Sequence, residues 1–142
     1  MNKSKQNNEL IVSSSTDNLS VIRDFIRAAA DKAGLSLEVI GKITLAVDEA
    51  CTNVIKHAYN YSPDGEIIIT ATSKNSKFII TITDFGKSFN PDAIPEPNLK
   101  ESIKQKRVGG LGMFLMRKLM DEVEYKSSPK KTNRVTLVKY LA

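Results

Sequence analysis

Two neighbouring runs, EIIITATS at 66–73 and KFIITITDF at 77–85, alternate apolar and polar residues with the period of a half-buried strand. Only a polar connection around Asn75 and Ser76 separates them, and the turn signal SPDG at 62–65 stands just before the first. The pattern predicts an antiparallel hairpin with one face to be covered by helices. Two upstream segments supply a cover. From Asp17 to Ala33 the residues Leu19, Ile22, Ile26, Ala29, Ala30 and Ala33 recur at helical spacing, and Gly34 stands where a helix commonly ends. Ser36 can cap a second helix whose buried stripe is Ile40, Ile43, Val47, Ala50 and Val54, expected to run to about His57. ELIVSSS at 9–15 reads as a first strand. GGLGMFLMRKLMDEV at 109–123 opens on glycines and becomes an amphipathic helix, and VEYKSS at 123–128 and RVTLVKYL at 134–141 read as further strands. This order implies an α+β two-layer sandwich, a mixed, largely antiparallel sheet with helices on one face. At 142 residues the chain has room for one cored domain and not two, so a single domain over 1–142 is expected.

Charge and composition exclude several functions. The net charge is +5, but the basic residues are scattered, and the densest group (Lys100, Lys104, Lys106 and Arg107) has no interleaved aromatics, so direct nucleic-acid contact is not expected. No apolar run approaches the roughly 20 residues of a membrane span, and the start MNKSKQNNEL lacks the apolar middle of a signal peptide. A cytoplasmic protein without a membrane partner is the expectation. Cys51 is the only cysteine, which leaves neither an intrachain disulfide nor a cysteine metal cluster and reads as a small buried hydrophobe.

Three stretches carry chemistry. In LAVDEACTNVIKHAY, Glu49, Asn53 and His57 recur at four-residue intervals. At about 100° per residue, Glu49 and Asn53 lie about 40° apart and point away from the buried stripe. An amide oxygen there can ligate a hard cation such as Mg²⁺, and a carboxylate can take a proton from a nucleophile; a solvated helix face is the plain alternative. In TDFGKSF, Asp84 continues the alternation of Phe78, Ile80 and Ile82 and should enter the face that the helices cover, where it needs a partner. A base with an exocyclic amino group is one such partner, and Gly86 would let a flat ring approach the backbone; a turn with an Asx hydrogen bond is the alternative. In GGLG at 109–112, glycines meet a helix N-terminus, which suits an anion or a flexible hinge. The spacing is that of neither a Walker loop nor a dinucleotide fingerprint.

EACTNVIKHAY, DFG and GGLGMFLM, in this order, resemble the boxes of the Bergerat-fold ATPases, the histidine kinase-like superfamily that includes gyrase and histidine kinases. Within it the chain looks like the anti-sigma-factor serine kinases of bacterial partner-switching systems, from the first strand to RVTLVKYL. The resemblance implies ATP and Mg²⁺ as cofactors, Glu49 as catalytic general base, Asn53 as metal ligand, Asp84 as reader of adenine and Gly86 as the close-approach glycine. It further implies an ATP-binding surface of Gly109, Gly110, Leu111, Gly112 and Met113, with a nucleotide lid at about 87–108 whose Lys106 or Arg107 reaches the terminal phosphate. Arg107 would do so in bidentate fashion. His57 matches a position near the nucleotide, with a satisfied structural histidine as the equal alternative.

Three residues, in two places, depart from the pattern. Ser88 stands where the DxGxG motif has its second glycine, and Thr132 and Asn133 stand where a Gly-Thr pair often precedes the last strand. The resemblance implies a protein serine/threonine kinase that phosphorylates a serine on a small anti-sigma-factor antagonist, with a sigma factor as a further partner, and that forms a homodimer. The alternative class is an ATP-gated protein-binding regulator without physiological kinase activity, and Glu49 favours the kinase.

Overall fold

The computed structural model describes residues 3–5, 8–88, 112–128 and 132–141. Strands β1 (Lys3–Lys5), β2 (Glu9–Ser13), β3 (Glu66–Lys74), β4 (Lys77–Asp84), β5 (Glu122–Ser127) and β6 (Asn133–Tyr140) form one six-stranded sheet in the order β1-β2-β3-β4-β6-β5. Every pairing among them is antiparallel. The helices are α1 (Leu19–Lys32), α2 (Leu37–Asn53) and α3 (Gly112–Leu119), and α2 packs against both of the others.

The β3–β4 hairpin turns at Asn75 and Ser76, whose φ angles of 52° and 62° suit a two-residue turn with the twist of the flanking strands. That turn sets Lys74 opposite Lys77 and, at the far end, Ile67 opposite Asp84. The register puts Ile67, Ile69 and Ala71 on the same buried face as Phe78, Ile80 and Ile82; a slip of one residue would expose all six. Onto this face α1 lays Ile22, Ile26 and Ala30, α2 lays Ile43, Val47 and Ala50, and α3 adds Met116. Each large apolar side chain so covered stabilises by about 1.5–3 kcal/mol. Cys51 is fully buried, and its thiol is pushed above its ordinary range chiefly by that burial and then by the Asp48 charge.

The helix ends follow local chemistry. Ser36 Oγ accepts the Val39 N–H at 3.2 Å, capping α2. Gly34, with φ at 86°, lets α1 close by bonds from Gly34 N to Asp31 O and from Leu35 N to Ala30 O.

Three boundaries differ from the sequence-based reading. The polar start contributes β1, which pairs through its backbone with Glu9–Ile11 and so needs no alternation of its own. The second helix does not continue as α-helix to His57: from Val54 to Ala58 it widens into a π-turn, marked by Tyr59 N bonding Val54 O, five residues back. The last helix stops at Leu119 rather than near Val123. Lys139 Nζ donates to Leu119 O, Asp121 N to Val138 O and Tyr140 N to Asp121 Oδ2, and these bonds draw the chain into the sheet.

Candidate functional site

Two acids stand side by side on α2, and the structure treats them differently. Arg23 of α1 donates from one Nη1 to both oxygens of Asp48, at 3.1 and 2.9 Å, so this carboxylate is matched by a cation. Glu49 Oε2 is buried with no hydrogen-bond partner among the described residues. Burial, and secondarily the Asp48 charge, raise the Glu49 pKa above its ordinary value. Such an oxygen is desolvated, basic and available, the properties a proton acceptor needs. Asn53, one turn on, is 7% exposed. A polar side chain so covered belongs to no solvated helix face.

The π-turn begins where Asn53 ends α2. His57 therefore leaves the regular four-residue line, while Glu49 and Asn53 keep it. Burial, with the Lys56 charge second, lowers the His57 pKa and so favours the neutral imidazole. At the end of the turn, Ala58 O accepts Lys87 N–H at 2.8 Å. A Cβ at Gly86 would meet the same carbonyl oxygen at 2.4 Å. The space that Gly86 leaves is thus taken by the protein's own backbone, which brings the helix layer against the loop after β4. Tyr59 fastens the contact: its hydroxyl donates to Glu66 O at 2.6 Å and accepts Phe85 N–H at 2.8 Å.

Asp84 is 1% exposed at the end of β4, on the face anticipated from the alternation. Its Oδ1 accepts Gly86 N–H at 2.9 Å, an Asx turn, and Asn133 Nδ2 at 2.8 Å. Burial raises its pKa, and these two bonds, the Asn133 amide first, oppose the rise. Asn133 lies directly across from Asp84 in the β4–β6 ladder and from Ser127 in the β5–β6 ladder. Its Oδ1 faces the hydroxyls of Ser88 and Ser127 at 3.0 Å each and of Tyr125 at 3.3 Å. Ser88 and Asn133, one from each place where the chain departs from the resemblance, therefore touch each other.

The helix layer thus presents Glu49 and Asn53, and the sheet layer Asp84, with Ala58 and Gly86 as the seam between them. Gly112 and Met113 are the first residues of α3, which packs on α2. Arg107, Lys106, Gly109, Gly110, Leu111 and the lid from 89 onward lie outside the described residues. A cleft lined by Phe85, Gly86, Lys87 and Ser88 opens beside Asp84. The larger concavity lined by Ala29, Lys32, Ala71, Thr72 and Phe78 sits at the other end of β4 and holds none of these groups. Reading the sequence missed the Arg23–Asp48 pair, Tyr59 as a fastener and Asn133 as the partner of Asp84. The last was recoverable by pairing KFIITITD with NRVTLVKY end to end.

Among the described residues no three His, Cys, Asp or Glu side chains gather to hold a metal ion. One buried amide beside one unpartnered carboxylate fits Mg²⁺, which keeps several waters and is held largely through substrate phosphates. It does not fit a metal caged by protein alone.

Comparison with known proteins gives the family of this fold. The model of the histidine kinase-like ATPase domain family matches residues 12–139. The serine-protein kinase RsbW of Listeria monocytogenes is 36% identical over 110 residues, 75% of this chain and 70% of that protein. The serine-protein kinase RsbW of Bacillus subtilis is 31% identical over 137 residues, 94% of this chain and 84% of that protein. The solved RsbU and RsbW domains of a Mycobacterium tuberculosis protein superpose with a TM-score of 0.66 at 16% identity, covering 94% of this chain and 32% of that one. The SiaB–SiaC complex from Pseudomonas aeruginosa gives a TM-score of 0.54 at 12% identity, over 96% of this chain and 92% of that chain, a likeness of fold. The chain belongs to the histidine kinase-like ATPase domain family and, within it, to the family of the serine-protein kinases RsbW.

Proposed function

We propose that the chain is an ATP-dependent protein serine/threonine kinase and anti-sigma regulatory factor of a partner-switching system, which phosphorylates a serine on a small anti-sigma-factor antagonist. The observation that carries the reading is Glu49 Oε2, a buried carboxylate oxygen without a hydrogen-bond partner among the described residues, beside an Asp48 already matched by Arg23. A module that only binds ATP gains nothing from an unpaired buried acid, which costs stability wherever it is ionised. The relatives named serine-protein kinase support the same chemistry.

In this reading Glu49 takes the proton of the acceptor hydroxyl as its oxygen attacks the γ-phosphorus, and the bond from the γ-phosphorus to the bridging oxygen breaks with ADP as the leaving group. Asn53 holds Mg²⁺ through its amide oxygen, and Asp84 accepts a hydrogen bond from the adenine amino group. A Mg²⁺ ion held there would offset the negative charge that gathers on the phosphate oxygens. His57, whose pKa burial lowers, contributes hydrogen bonding rather than charge. Gly109, Gly110, Leu111, Gly112 and Met113 offer backbone groups to the phosphates, and Arg107 of the 87–108 lid pairs with the terminal one. The proposal includes a sigma factor as the partner held when the antagonist is absent, a homodimer, and work in the cytoplasm. No helix among the described residues is long and apolar enough to cross a membrane.

Single-turnover transfer from γ-labelled ATP to a recovered antagonist tests it, with ATP affinity measured in parallel. Asn53→Ala is expected to lose Mg²⁺-dependent affinity. Glu49→Gln is expected to keep affinity and to slow transfer by roughly 10²–10⁴-fold. Wild-type binding of partners with ATP but without any transfer would establish the ATP-gated regulator instead.

A further inference from the structure

We propose that Asn133 is a positioning residue for the nucleotide base: it holds the Asp84 carboxylate from the adjacent strand and is itself fixed by hydroxyls, one of them on Ser88 in the lining of the adjacent cleft. The proposal rests on the reading of Asp84 as the adenine acceptor.

The orientation of the Asn133 side chain follows from chemistry alone. Its Nδ2 can only donate, and it faces two acceptors, Asp84 Oδ1 at 2.8 Å and Gly86 O at 3.2 Å. Its Oδ1 can only accept, and it faces the hydroxyls of Ser88, Ser127 and Tyr125. A flipped amide would set oxygen against a carboxylate and NH₂ against groups that already have an acceptor. Ser88 and Ser127 also approach each other to 2.7 Å, so either hydroxyl can donate to the other while its neighbour donates to Asn133. Asn133 itself is 0% exposed and its bond to Asp84 is buried, whereas the Ser88 and Ser127 hydroxyls reach the surface.

The consequence reaches the base. A carboxylate that must accept from one exocyclic amino group has to be both ionised and aimed. Burial works against the first, and free rotation about the Cβ–Cγ bond against the second. The Asn133 amide counters both, because a donor on Oδ1 favours the charged form and, with Gly86 N–H on the same oxygen, fixes the plane of the carboxylate. The cross-strand register supplies the amide at no cost in loop order: Asp84, Asn133 and Ser127 form one row across three strands. Ser88, four residues beyond Asp84, returns onto that row. Ser88 and Gly86, both bonded to Asn133, line the cleft of Phe85 to Ser88.

The test compares affinity for ATP with affinity for purine riboside triphosphate, the same nucleotide without the amino group. Wild type, Asn133→Ala, Ser88→Ala, Asp84→Asn and the Asp84→Asn/Asn133→Ala double variant are compared, each checked for folding by thermal unfolding. Wild type is expected to prefer ATP. Asn133→Ala should lose about tenfold of that preference, the worth of one charge-assisted hydrogen bond, with affinity for the analogue nearly unchanged. In the Asp84→Asn background the same substitution should remove no further preference, because the two residues act through one contact. A folded Asn133→Ala chain with its preference intact overturns the proposal, as does an equal loss for both nucleotides, the mark of a merely structural role. Should Asn133→Ala not fold, Ser88→Ala carries the test: about threefold of the preference should be lost, and an unchanged preference overturns the proposal. A wild type that does not discriminate the two nucleotides overturns the Asp84 reading itself, a result distinct from all of these.

Discussion

The adjacent acids of α2 show how a single side chain acquires a task from its surroundings. Asp48 is matched by Arg23, whereas Glu49 keeps an unpartnered oxygen. Burial raises the Glu49 pKa above its ordinary 4.5, so the folded chain holds this proton more tightly than the unfolded chain does, and ionisation opposes folding. The opposition is absent below the unfolded value, grows as pH rises to the folded value, and is constant above it. Glu49→Gln is therefore expected to be more stable than wild type at about pH 8 and equal to it at about pH 4. Denaturant midpoints at the two pH values check this, and a variant that is less stable at about pH 8 would show that the carboxylate is paired. Transfer should show the complementary cost, with its acid limb lying above the ordinary carboxylate range. Asp48→Asn should move that limb down slightly, since burial is the larger cause and the Asp48 charge the smaller. None of this division between two neighbouring acids is legible in the sequence, because the cation that decides it comes from α1, 25 residues away.

At the scale of elements, what the sequence makes legible is what repeats locally. The alternation in 66–84 and the apolar spacing of α1 and α2 gave the hairpin, the register face and the helix cover, because both periods are set by backbone geometry within a few residues. The π-turn at Val54–Ala58 was hidden, since VIKHA carries the apolar residues that a continuing α-helix would also carry. Its cause is tertiary: the widened turn delivers Ala58 O to Lys87 N–H and Tyr59 to Glu66 and Phe85. Asp84 was placed correctly by alternation, but its amide partner required the β4–β6 pairing, which no local pattern encodes. The seam makes a sharp prediction. Gly86→Ala would drive a methyl to 2.4 Å from a backbone oxygen, so the turn or the loop must move, at a cost of about 1–3 kcal/mol. Tyr59→Phe removes one donor and one acceptor and should cost about 1–2 kcal/mol without a clash. Urea unfolding of the two variants checks both, and a Gly86→Ala chain as stable as wild type would mean that the seam is pliable.

For the whole molecule, the proposed nucleotide contacts divide between the layers, Glu49 and Asn53 on the helical side and Asp84 on the sheet. A ligand held by both should therefore stabilise the fold as a unit rather than one edge of it. By mass action, Mg-ATP at about a hundred times its dissociation constant adds about 2.7 kcal/mol to unfolding, which for a domain of this size raises the melting temperature by roughly 5–10 °C. Protection from amide exchange should rise together in α2, β4 and β6, since a layer that could open alone would release the ligand. GTP at the same concentration should shift the melting temperature less, because its base has an oxygen acceptor where adenine has the amino group that Asp84 is proposed to accept from. Asp84→Asn should reduce the difference between ATP and GTP, and Asn53→Ala should reduce the Mg²⁺-dependent part of both shifts. Equal shifts for ATP and GTP in the wild type would remove Asp84 as the base reader. Protection confined to α2 would mean that the sheet layer takes no part in holding the nucleotide.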